Sequence, residues 1–372
     1  MAPLKAAIEI DAAPARWFHL EVTNACGESC VYCPSSRMTR PRQFMPLSRV
    51  KHCLDAIALY KNEHPEYQGY MRIERAVFLH VMGEPLLHPD ICEIVRHGRS
   101  LGLLLNLVTK GTLLSRAMWE SLAASGLRLM TVSLNRIGRI EGAISETDLT
   151  RQMDALNDFG RFWAGGRDRR LELQYLYQPG GQEPYDDLLN NAEDALLVYR
   201  KWKERIADWG FTHAAALPWS PRPEDSIRRF CVNAARQMEC RTELCPGALL
   251  LLKTVCGFPL VAESGENEAE PGTCPLGCPF TLLSIFSDGE TSMCSLDFDN
   301  RTRLGSLYEG SVEEIWNSLR ARTIRSNMKE GRLTEAICRA CPIRLRFAEG
   351  DENGGGAVRT LAETARRENT HE

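Results

Sequence analysis

The sequence lacks the long apolar runs and the charge excess that mark several classes of protein. No uncharged apolar stretch approaches the roughly 18 residues of a membrane span, and the nearest candidate, residues 247–262, is interrupted by Lys253. Residues 1–16 lack the apolar core of a secretory signal, so we expect a cytoplasmic protein. With 45 basic and 49 acidic residues, the net charge of -4 predicts neither a nucleic acid nor a membrane as partner.

Several familiar catalytic signatures are also missing. Gly102 and Gly111 do not form a phosphate-binding motif, and no Cys–His nucleophile pair stands out. His19, His80 and His213 lie in strand-like stretches, where we expect satisfied core histidines. The chain of 372 residues is 44% hydrophobic and 25% charged, which excludes a disordered protein and suggests about two domains.

Fourteen cysteines are the unusual feature of the composition. Disulfides are disfavoured in a reducing cytoplasm, and only Cys53 and Cys92 sit singly in helix-like apolar patterns typical of structural cysteines. The short spacings of the others favour thiolate ligation of zinc or of iron–sulfur clusters. These cysteines form three groups: Cys26, Cys30 and Cys33; Cys231, Cys240, Cys245, Cys256, Cys274, Cys278 and Cys294; and Cys338 with Cys341.

Strand-like and helix-like segments alternate along the first half of the chain, which predicts βαβ units and a parallel sheet. We therefore expect an α/β fold with a partial (β/α)6 TIM-like barrel over residues 1–217, its last strand at 212–217, and its chemistry at the carboxyl ends of the strands. A cysteine-rich linker is predicted over 218–275 and a small cysteine-rich α+β domain over 276–348, with a hairpin at 281–294 and one helix at 312–329. Residues 349–372 are predicted to form a flexible tail.

The first cysteine group has the spacing C-x3-C-x2-C and follows the first predicted strand directly. Three thiolates can hold three irons of a [4Fe–4S] cluster and leave the fourth iron open to another ligand. A structural zinc site would need a fourth protein ligand, and no Cys or His follows nearby. A zinc loop or a chance spacing is the alternative interpretation.

This loop, with Tyr32 before its last cysteine, resembles that of radical S-adenosylmethionine (radical SAM) enzymes, and the resemblance covers about residues 17–217. Residues 82–85, Met-Gly-Glu-Pro, look like the GGEP stretch of the family, with Met82 in place of the first glycine. Residues 109–111, Thr-Lys-Gly, resemble its T-N-G stretch, with Lys110 as a departure. The resemblance implies that Gly83, Glu84 and Pro85 hold the methionine ammonium group of S-adenosylmethionine.

Further contacts with S-adenosylmethionine are implied by the same resemblance. Ser133 matches a serine that often contacts the ribose, and Gln174 matches a polar residue that commonly reaches the methionine moiety. The implied cofactor-binding residues are Tyr32, Gly83, Glu84, Pro85, Thr109, Ser133 and Gln174. The implied ligands of the radical SAM [4Fe–4S] cluster are Cys26, Cys30 and Cys33, and an external one-electron donor such as flavodoxin or ferredoxin is an implied partner.

A second set of cysteines has a different spacing. Ten residues separate Cys278 from Gly289, and four more separate Gly289 from Cys294. Cys338 follows after a further 43 intervening residues, and Cys341 forms a C-x2-C pair with it. On spacing alone, four thiolates fit a closed [4Fe–4S] cluster or a zinc ribbon. The stretch is similar to the SPASM/twitch extension of radical SAM enzymes. Because no cysteine follows Cys341, the shorter twitch form with one auxiliary cluster fits better.

The remaining cysteines leave alternatives open. Cys274 could replace Cys278 or join it. Cys231 and the other unassigned cysteines could be packing residues, or one of them could be a hydrogen donor to the substrate. A possible second auxiliary cluster could be held by Cys240, Cys245, Cys256 and Cys274.

The resemblance implies cleavage of S-adenosylmethionine to a 5′-deoxyadenosyl radical, which abstracts a hydrogen atom from the substrate. An auxiliary [4Fe–4S] cluster could accept an electron and give a net oxidation, such as alcohol to ketone, whereas a thiol hydrogen donor would give epimerisation. Three charged residues could take part in proton removal, with their position in the sequence as the only argument: Asp297, Asp299 and Arg136. Each is more readily explained as a structural or solvated charge.

The predicted substrate is a small hydroxylated natural product, such as an amino sugar or aminocyclitol. Only 16 residues precede the first strand, too few for the leader-binding domain of many peptide-modifying relatives. A radical SAM epimerase or a peptide-crosslinking enzyme is the alternative, and a non-catalytic zinc-binding protein is a more remote one.

Overall fold

A computed structural model describes residues 14–64, 76–135, 139–140, 143–179, 188–207, 209, 222–234, 237–255, 258 and 269–344. Among the helices in these ranges, none combines the length and the apolar character that crossing a bilayer requires.

The strands in these ranges are β1 (Trp17–Leu20), β2 (Ala76–Phe78), β3 (Leu104–Thr109), β4 (Leu129–Ser133), β5 (Arg139–Ile140), β6 (Ala143–Ile144), β7 (Arg170–Tyr177), β8 (Glu239–Cys245), β9 (Ala248–Thr254), β10 (Glu270–Pro271), β11 (Leu282–Ile285), β12 (Glu290–Ser292), β13 (Gly305–Ser306) and β14 (Arg332–Leu333). The α-helices are α1 (Leu47–Glu63), α2 (Ile91–Ser100), α3 (Arg116–Ala124), α4 (Glu146–Ala164), α5 (Ala192–Ala207), α6 (Pro223–Asn233), α7 (Cys278–Thr281), α8 (Val312–Trp316), α9 (Leu319–Lys329) and α10 (Ala336–Arg339).

Ten strands form one mixed sheet in the order β13-β12-β11-β1-β2-β3-β4-β7-β9-β8. Neighbours from β11 to β9 in this order are parallel, and the strands at both edges are antiparallel. Side chains alternate between the two faces, so Phe18 packs on Tyr60 of α1 while Trp17 contacts Phe78 on the other face. The predicted α/β fold, a partial parallel barrel with a small cysteine-rich domain, is confirmed.

The sheet position beside β7 is occupied by β9, which lies in the stretch that the composition predicted as a linker. Four consecutive leucines, residues 249–252, give β9 the continuous apolar run that is typical of a strand buried on both faces. β8 then pairs antiparallel with β9, and α6 precedes the pair. The strand predicted at 212–217 and the tail predicted at 349–372 lie outside the described residues.

The helix predicted over residues 312–329 is instead two helices, α8 and α9. Asn317 ends the first, and Ser318 begins the second by accepting a hydrogen bond at its side chain from the Ala321 N–H, at 3.3 Å. Asparagine and serine favour helix ends because their short polar side chains compete for backbone groups. The apolar periodicity continues across the break, which is why it suggested one helix.

The carboxylate of Glu21, directly after β1 and fully buried, joins three distant segments. Arg40 donates to its two oxygens at 2.7 and 2.9 Å, and the Met82 N–H donates at 3.1 Å. Ser287, in the β11–β12 turn, donates from its N–H at 3.2 Å and from its hydroxyl at 3.0 Å. One buried charge thus fixes the segment after the first cysteines, the loop after β2 and the small domain against one another.

Replacing this charge should destabilise the fold. Glu21→Gln leaves the buried Arg40 guanidinium, whose side chain is 8% exposed, without a counter-charge. Breaking such a pair from one side typically costs about 3–5 kcal/mol. Thermal unfolding under anaerobic conditions should therefore show a clear drop in unfolding temperature. Glu93→Gln is the matched control because Glu93 pairs with Lys51 and Arg96 at the surface. An equal drop in both variants would contradict this assignment.

Candidate active site

The three cysteines of the first group lie together between β1 and a 3-10 turn at Pro34–Arg37. Each is partly exposed, and the Glu28 N–H donates to the Cys26 Sγ at 3.4 Å. Burial raises the pKa of the Cys26 and Cys33 thiols, and the neighbouring Cys30 raises both further. The three cysteines thus influence one another's ionisation, and a metal that binds them has to displace thiol protons.

These cysteines line a cavity of about 410 Å³. Phe258, which packs on Phe298 of the small domain with ring centroids 6.0 Å apart, reaches the same cavity. The described residues that line it include three cysteines but no fourth cysteine and no histidine. The donor set therefore fits a cluster held by three thiolates with one position open to another molecule.

A second cavity, of about 360 Å³, lies at the opposite end of the sheet. It is lined by Gly102 and Leu104 at the start of β3 and by Gly126 and Arg128 before β4. The chemistry of parallel barrels occurs at the carboxyl ends of the strands. We therefore assign the site to the cavity at the cysteine loop.

The turn that contains Gly83 packs directly on the start of the cysteine loop. Gly83 has a φ of +84°, and a Cβ at this position would lie 2.3 Å from the Thr23 carbonyl oxygen. The Glu84 N–H donates to the Ala25 carbonyl at 2.8 Å. Only glycine tolerates both the positive φ and the close approach, so the structure places this turn beside the predicted cluster.

The Glu84 side chain ties together the ends of β2 and β3. Its two oxygens accept hydrogen bonds from the backbone N–H of Leu86 at 3.1 Å and of Lys110 at 2.9 Å, and Thr109 adds a side-chain hydrogen bond. Burial nevertheless raises the pKa of this carboxyl group. Pro85 begins the 3-10 turn Pro85–Leu87. Each carboxylate oxygen can accept a further hydrogen bond, which leaves room for the predicted contact with the methionine ammonium group. That contact stays a prediction.

Asn135, which the sequence did not single out, forms hydrogen bonds with two predicted cofactor-binding residues, Tyr32 and Ser133. Its amide donates to the Tyr32 hydroxyl at 3.0 Å and to the Ser133 hydroxyl at 2.6 Å, and its oxygen accepts from the Leu176 N–H at 2.7 Å. Gln174 donates to Ser133 at 3.4 Å. The sequence feature that could have indicated Asn135 is its position two residues after Ser133, just beyond the end of β4. The structure brings Tyr32, Ser133 and Gln174 together, while their roles toward S-adenosylmethionine stay predictions.

Five cysteines of the small domain form one group. Cys278 makes side-chain hydrogen bonds with Cys274 and Cys294. Both of these partners lie within electrostatic range of Cys338 and Cys341. The four predicted ligands, Cys278, Cys294, Cys338 and Cys341, are thus brought together, and Cys274 joins them. The spacing had allowed Cys274 to replace Cys278 or to join it, and the fold places both in the group.

The thiols of this group differ in how readily they ionise. The pKa of Cys274 is lowered to about 7 because the Cys278 thiol and the backbone N–H groups of Leu276, Gly277 and Cys278 donate to it. Burial raises the pKa of Cys341 to about 11 and raises that of Cys338 as well. A cation or cluster would compensate the charge of several buried thiolates, so these residues fit a closed thiolate-ligated group.

The other described cysteines have partners elsewhere. Cys240 contacts the Thr242 hydroxyl at 3.6 Å, Cys245 donates to the Pro246 carbonyl at 3.6 Å, and Cys231 shares a hydrogen bond with Tyr177. None of these contacts brings them to Cys274. Cys256 lies outside the described residues.

The aspartates considered for proton removal make structural contacts. Buried Asp297 accepts hydrogen bonds from the hydroxyls of Ser292 and Thr302 and from the Arg301 N–H. Asp299 accepts from the Thr39 N–H at 2.8 Å, which docks the small domain on the cysteine loop. Arg136 lies outside the described residues.

Two domain families match this chain in regions that contain the two cysteine groups. Residues 20–158 match the radical SAM superfamily, and residues 274–342 match SPASM, an iron–sulfur cluster-binding domain. The chain belongs to the radical SAM superfamily and carries a C-terminal SPASM domain. It is a radical SAM enzyme whose cofactors are S-adenosylmethionine and [4Fe–4S] clusters, as the motifs predicted.

Curated relatives match either the whole chain or a part of it. The PqqA peptide cyclase of Xanthomonas euvesicatoria pv. vesicatoria is 29% identical over 340 residues, which cover 87% of this chain and 79% of that protein. The AdoMet-dependent heme synthase of Methanosarcina barkeri is 33% identical over 128 residues, which cover 34% of this chain and 31% of that protein. The chain thus spans about a third of the length of the second relative.

Solved structures also resemble the fold. BtrN in complex with AdoMet and 2-DOIA has a TM-score of 0.44 and 14% identity, covering 86% of this chain and 89% of that one. Streptococcus suis SuiB bound to the precursor peptide SuiA has a TM-score of 0.48 and 14% identity, covering 94% and 73%.

Iron analysis tests both cysteine groups at once. After anaerobic reconstitution, the protein should hold about eight irons per chain, four for each of two clusters. Replacing Cys26, Cys30 and Cys33 together with alanine should leave about four irons and abolish 5′-deoxyadenosine formation from S-adenosylmethionine. Cys92→Ser, which removes a thiol from α2, should retain both. Persistent cleavage in the triple variant would show that the assignment of the open cluster is wrong.

Proposed function

We propose that this protein is a radical SAM oxidoreductase that transfers an electron from the substrate radical to an auxiliary [4Fe–4S] cluster in the small domain. The observation that carries the proposal is the group of five cysteines in that domain, separate from the three at the barrel mouth. Four of them are enough to close a cluster. We propose Cys278, Cys294, Cys338 and Cys341 as ligands, with Cys274 as the fifth thiol beside them.

The electron balance supports a dehydrogenation. An external donor such as flavodoxin or ferredoxin would reduce the open cluster, and S-adenosylmethionine bound there would then supply a 5′-deoxyadenosyl radical, with methionine as the other product. Removal of one substrate hydrogen atom leaves a carbon radical. Loss of one further electron and one proton completes a two-electron oxidation, and the auxiliary cluster is the proposed electron acceptor.

The residues of this chain hold the mouth of the barrel in one arrangement. Glu84 ties the ends of β2 and β3, and Asn135 ties those of β4 and β7 to Tyr32 of the cysteine loop. Such ties limit the motion of a reactive substrate radical and of the groups around it. These contacts support a role in positioning and shielding.

Two substrate classes fit this chemistry. The first is the small hydroxylated natural product that the sequence predicts. The second is a peptide that is crosslinked by a similar net oxidation, and it is favoured by the 29% identity with a PqqA peptide cyclase over 87% of this chain, including both domains. Screening aminocyclitols and amino sugars against short peptides encoded beside the gene separates the two, because only the true class yields a product two hydrogens lighter.

Loss of the auxiliary ligands should uncouple the reaction. Cys338→Ala with Cys341→Ala should preserve 5′-deoxyadenosine formation, because the first cluster is intact, but reduce the oxidised product to background. Product and 5′-deoxyadenosine are measured together by mass spectrometry, with Cys92→Ser as the control. Oxidised product at the normal rate from a variant that holds only about four irons would refute the electron-acceptor role.

A further inference from the structure

The segment that contains and follows the last two cysteines of the first group carries positive charge only. Residues 29–54 contain four arginines and one lysine but no aspartate or glutamate, in a chain whose net charge is -4. Two of these cations are neutralised within the fold, because Arg40 pairs with buried Glu21 and Lys51 pairs with Glu93. In the part of the chain that the structure describes, no carboxylate pairs with the other three, which are Arg37, Arg42 and Arg49.

Two of these arginines flank the cysteine loop, and both are exposed. Arg37 ends the 3-10 turn that follows Cys33 directly. Arg42 donates to the backbone carbonyls of Asn24 at 2.8 Å and of Ser35 at 2.7 Å. These acceptors are neutral, so they fix the Arg42 guanidinium beside the loop without cancelling its charge.

The carboxylates at the same surface do not balance these cations. Glu28 accepts from the Thr112 hydroxyl at 3.4 Å, and Asp299 accepts from the Thr39 N–H at 2.8 Å. Exposed Arg301, two residues after Asp299, adds a further positive charge. The surface beside the cysteines therefore has more arginines than carboxylates, and it favours an acidic partner.

Exposed apolar side chains surround the same loop. Of the seven large apolar side chains that are exposed in the described residues, four lie in loops at the carboxyl ends of β1, β2 and β3. The rings of Phe44 and His88 are 5.9 Å apart between centroids, which places Phe44 near Leu87. Apolar side chains grouped at a surface mark interaction sites. The four are Val31, Phe44, Leu87 and Leu113.

We propose that these four side chains, with Arg37 and Arg42, form a docking surface for the external one-electron carrier protein. The partner it fits has carboxylates around an apolar redox centre, because interfaces combine an apolar core with a polar rim in which arginine is favoured. The inference rests on the proposed function in that an external carrier reduces the cluster at the cysteine loop. One electron leaves the reduced carrier and enters that cluster, and no bond or proton changes.

The place and the breadth of this surface favour a folded carrier over other acidic partners. All three cysteines of the loop are partly exposed, so a carrier docked here brings its redox centre close to the electron acceptor. The apolar side chains come from three separate loops. A short acidic peptide could pair with the arginines, but it could not cover all three loops.

Docking can be measured without turnover. The reconstituted holoenzyme, with S-adenosylmethionine and oxidised clusters, is titrated by calorimetry with an oxidised flavodoxin of net negative charge, so no electron is transferred. We expect saturable binding that weakens as the salt concentration rises from about 50 to about 500 mM, because salt screens exposed charges. A hexaglutamate peptide at the same concentration should not bind.

Matched variants locate the binding surface. Arg37→Gln should weaken flavodoxin binding about threefold, the effect of one exposed charge pair. Phe44→Ser should weaken it about tenfold by removing a half-exposed ring. Arg229→Gln and Val232→Ser, which change an exposed arginine and an exposed apolar side chain of α6, should bind as the unchanged protein does. Iron content and dithionite-driven formation of 5′-deoxyadenosine show that each variant holds intact clusters.

Equal flavodoxin affinity in all four variants would overturn the proposal. Equal affinity of hexaglutamate and flavodoxin would also overturn it, because the surface would then select acidic peptides in general. No substrate is present in the titration. Flavodoxin binding by a protein that fails to oxidise any substrate would therefore refute only the proposed oxidation, whereas oxidation without flavodoxin binding would refute only the docking surface.

Discussion

The arrangement of the two cysteine groups depends on one buried carboxylate. Glu21 is fully enclosed, and each of its oxygens accepts hydrogen bonds from segments that are remote in sequence. Arg40, its counter-charge, also donates to the Phe298 carbonyl and lies over the Phe286 ring. A buried ion pair is tolerated only when its remaining donors and acceptors are satisfied. The small domain therefore cannot move away from the cysteine loop without exposing an unpaired charge.

Hydrogen bonds from other side chains also link strand ends around the mouth of the barrel. Glu84 fixes the ends of β2 and β3, and Asn135 fixes the ends of β4 and β7. Each uses a side chain to satisfy backbone N–H groups that the strands leave unpaired where they end. Together with Glu21 after β1, they hold successive strand ends in register. A site that handles radicals benefits from this rigidity because reacting atoms must stay close together.

Local patterns predicted the features that depend on neighbouring residues. The spacing of Cys26, Cys30 and Cys33 and the alternation of strands and helices are both readable in short windows. The contacts that assemble the site are not, because Ser287 and Glu21 are separated by 266 residues. Nothing local distinguishes the β9 leucines from a buried helix segment. The break at Asn317 was missed since apolar periodicity outweighed two capping residues, and Cys274 joined its group only through tertiary packing.

The residues that carry the cofactor chemistry are different from those that would select the substrate. The two cysteine groups lie in the regions that the radical SAM and SPASM families match, so they are the features that family comparison detects. Side chains in or next to the strands, such as the neighbouring His19 and His80, belong to no such motif. The choice of substrate depends on such side chains, so it cannot be read from the cysteine spacing alone.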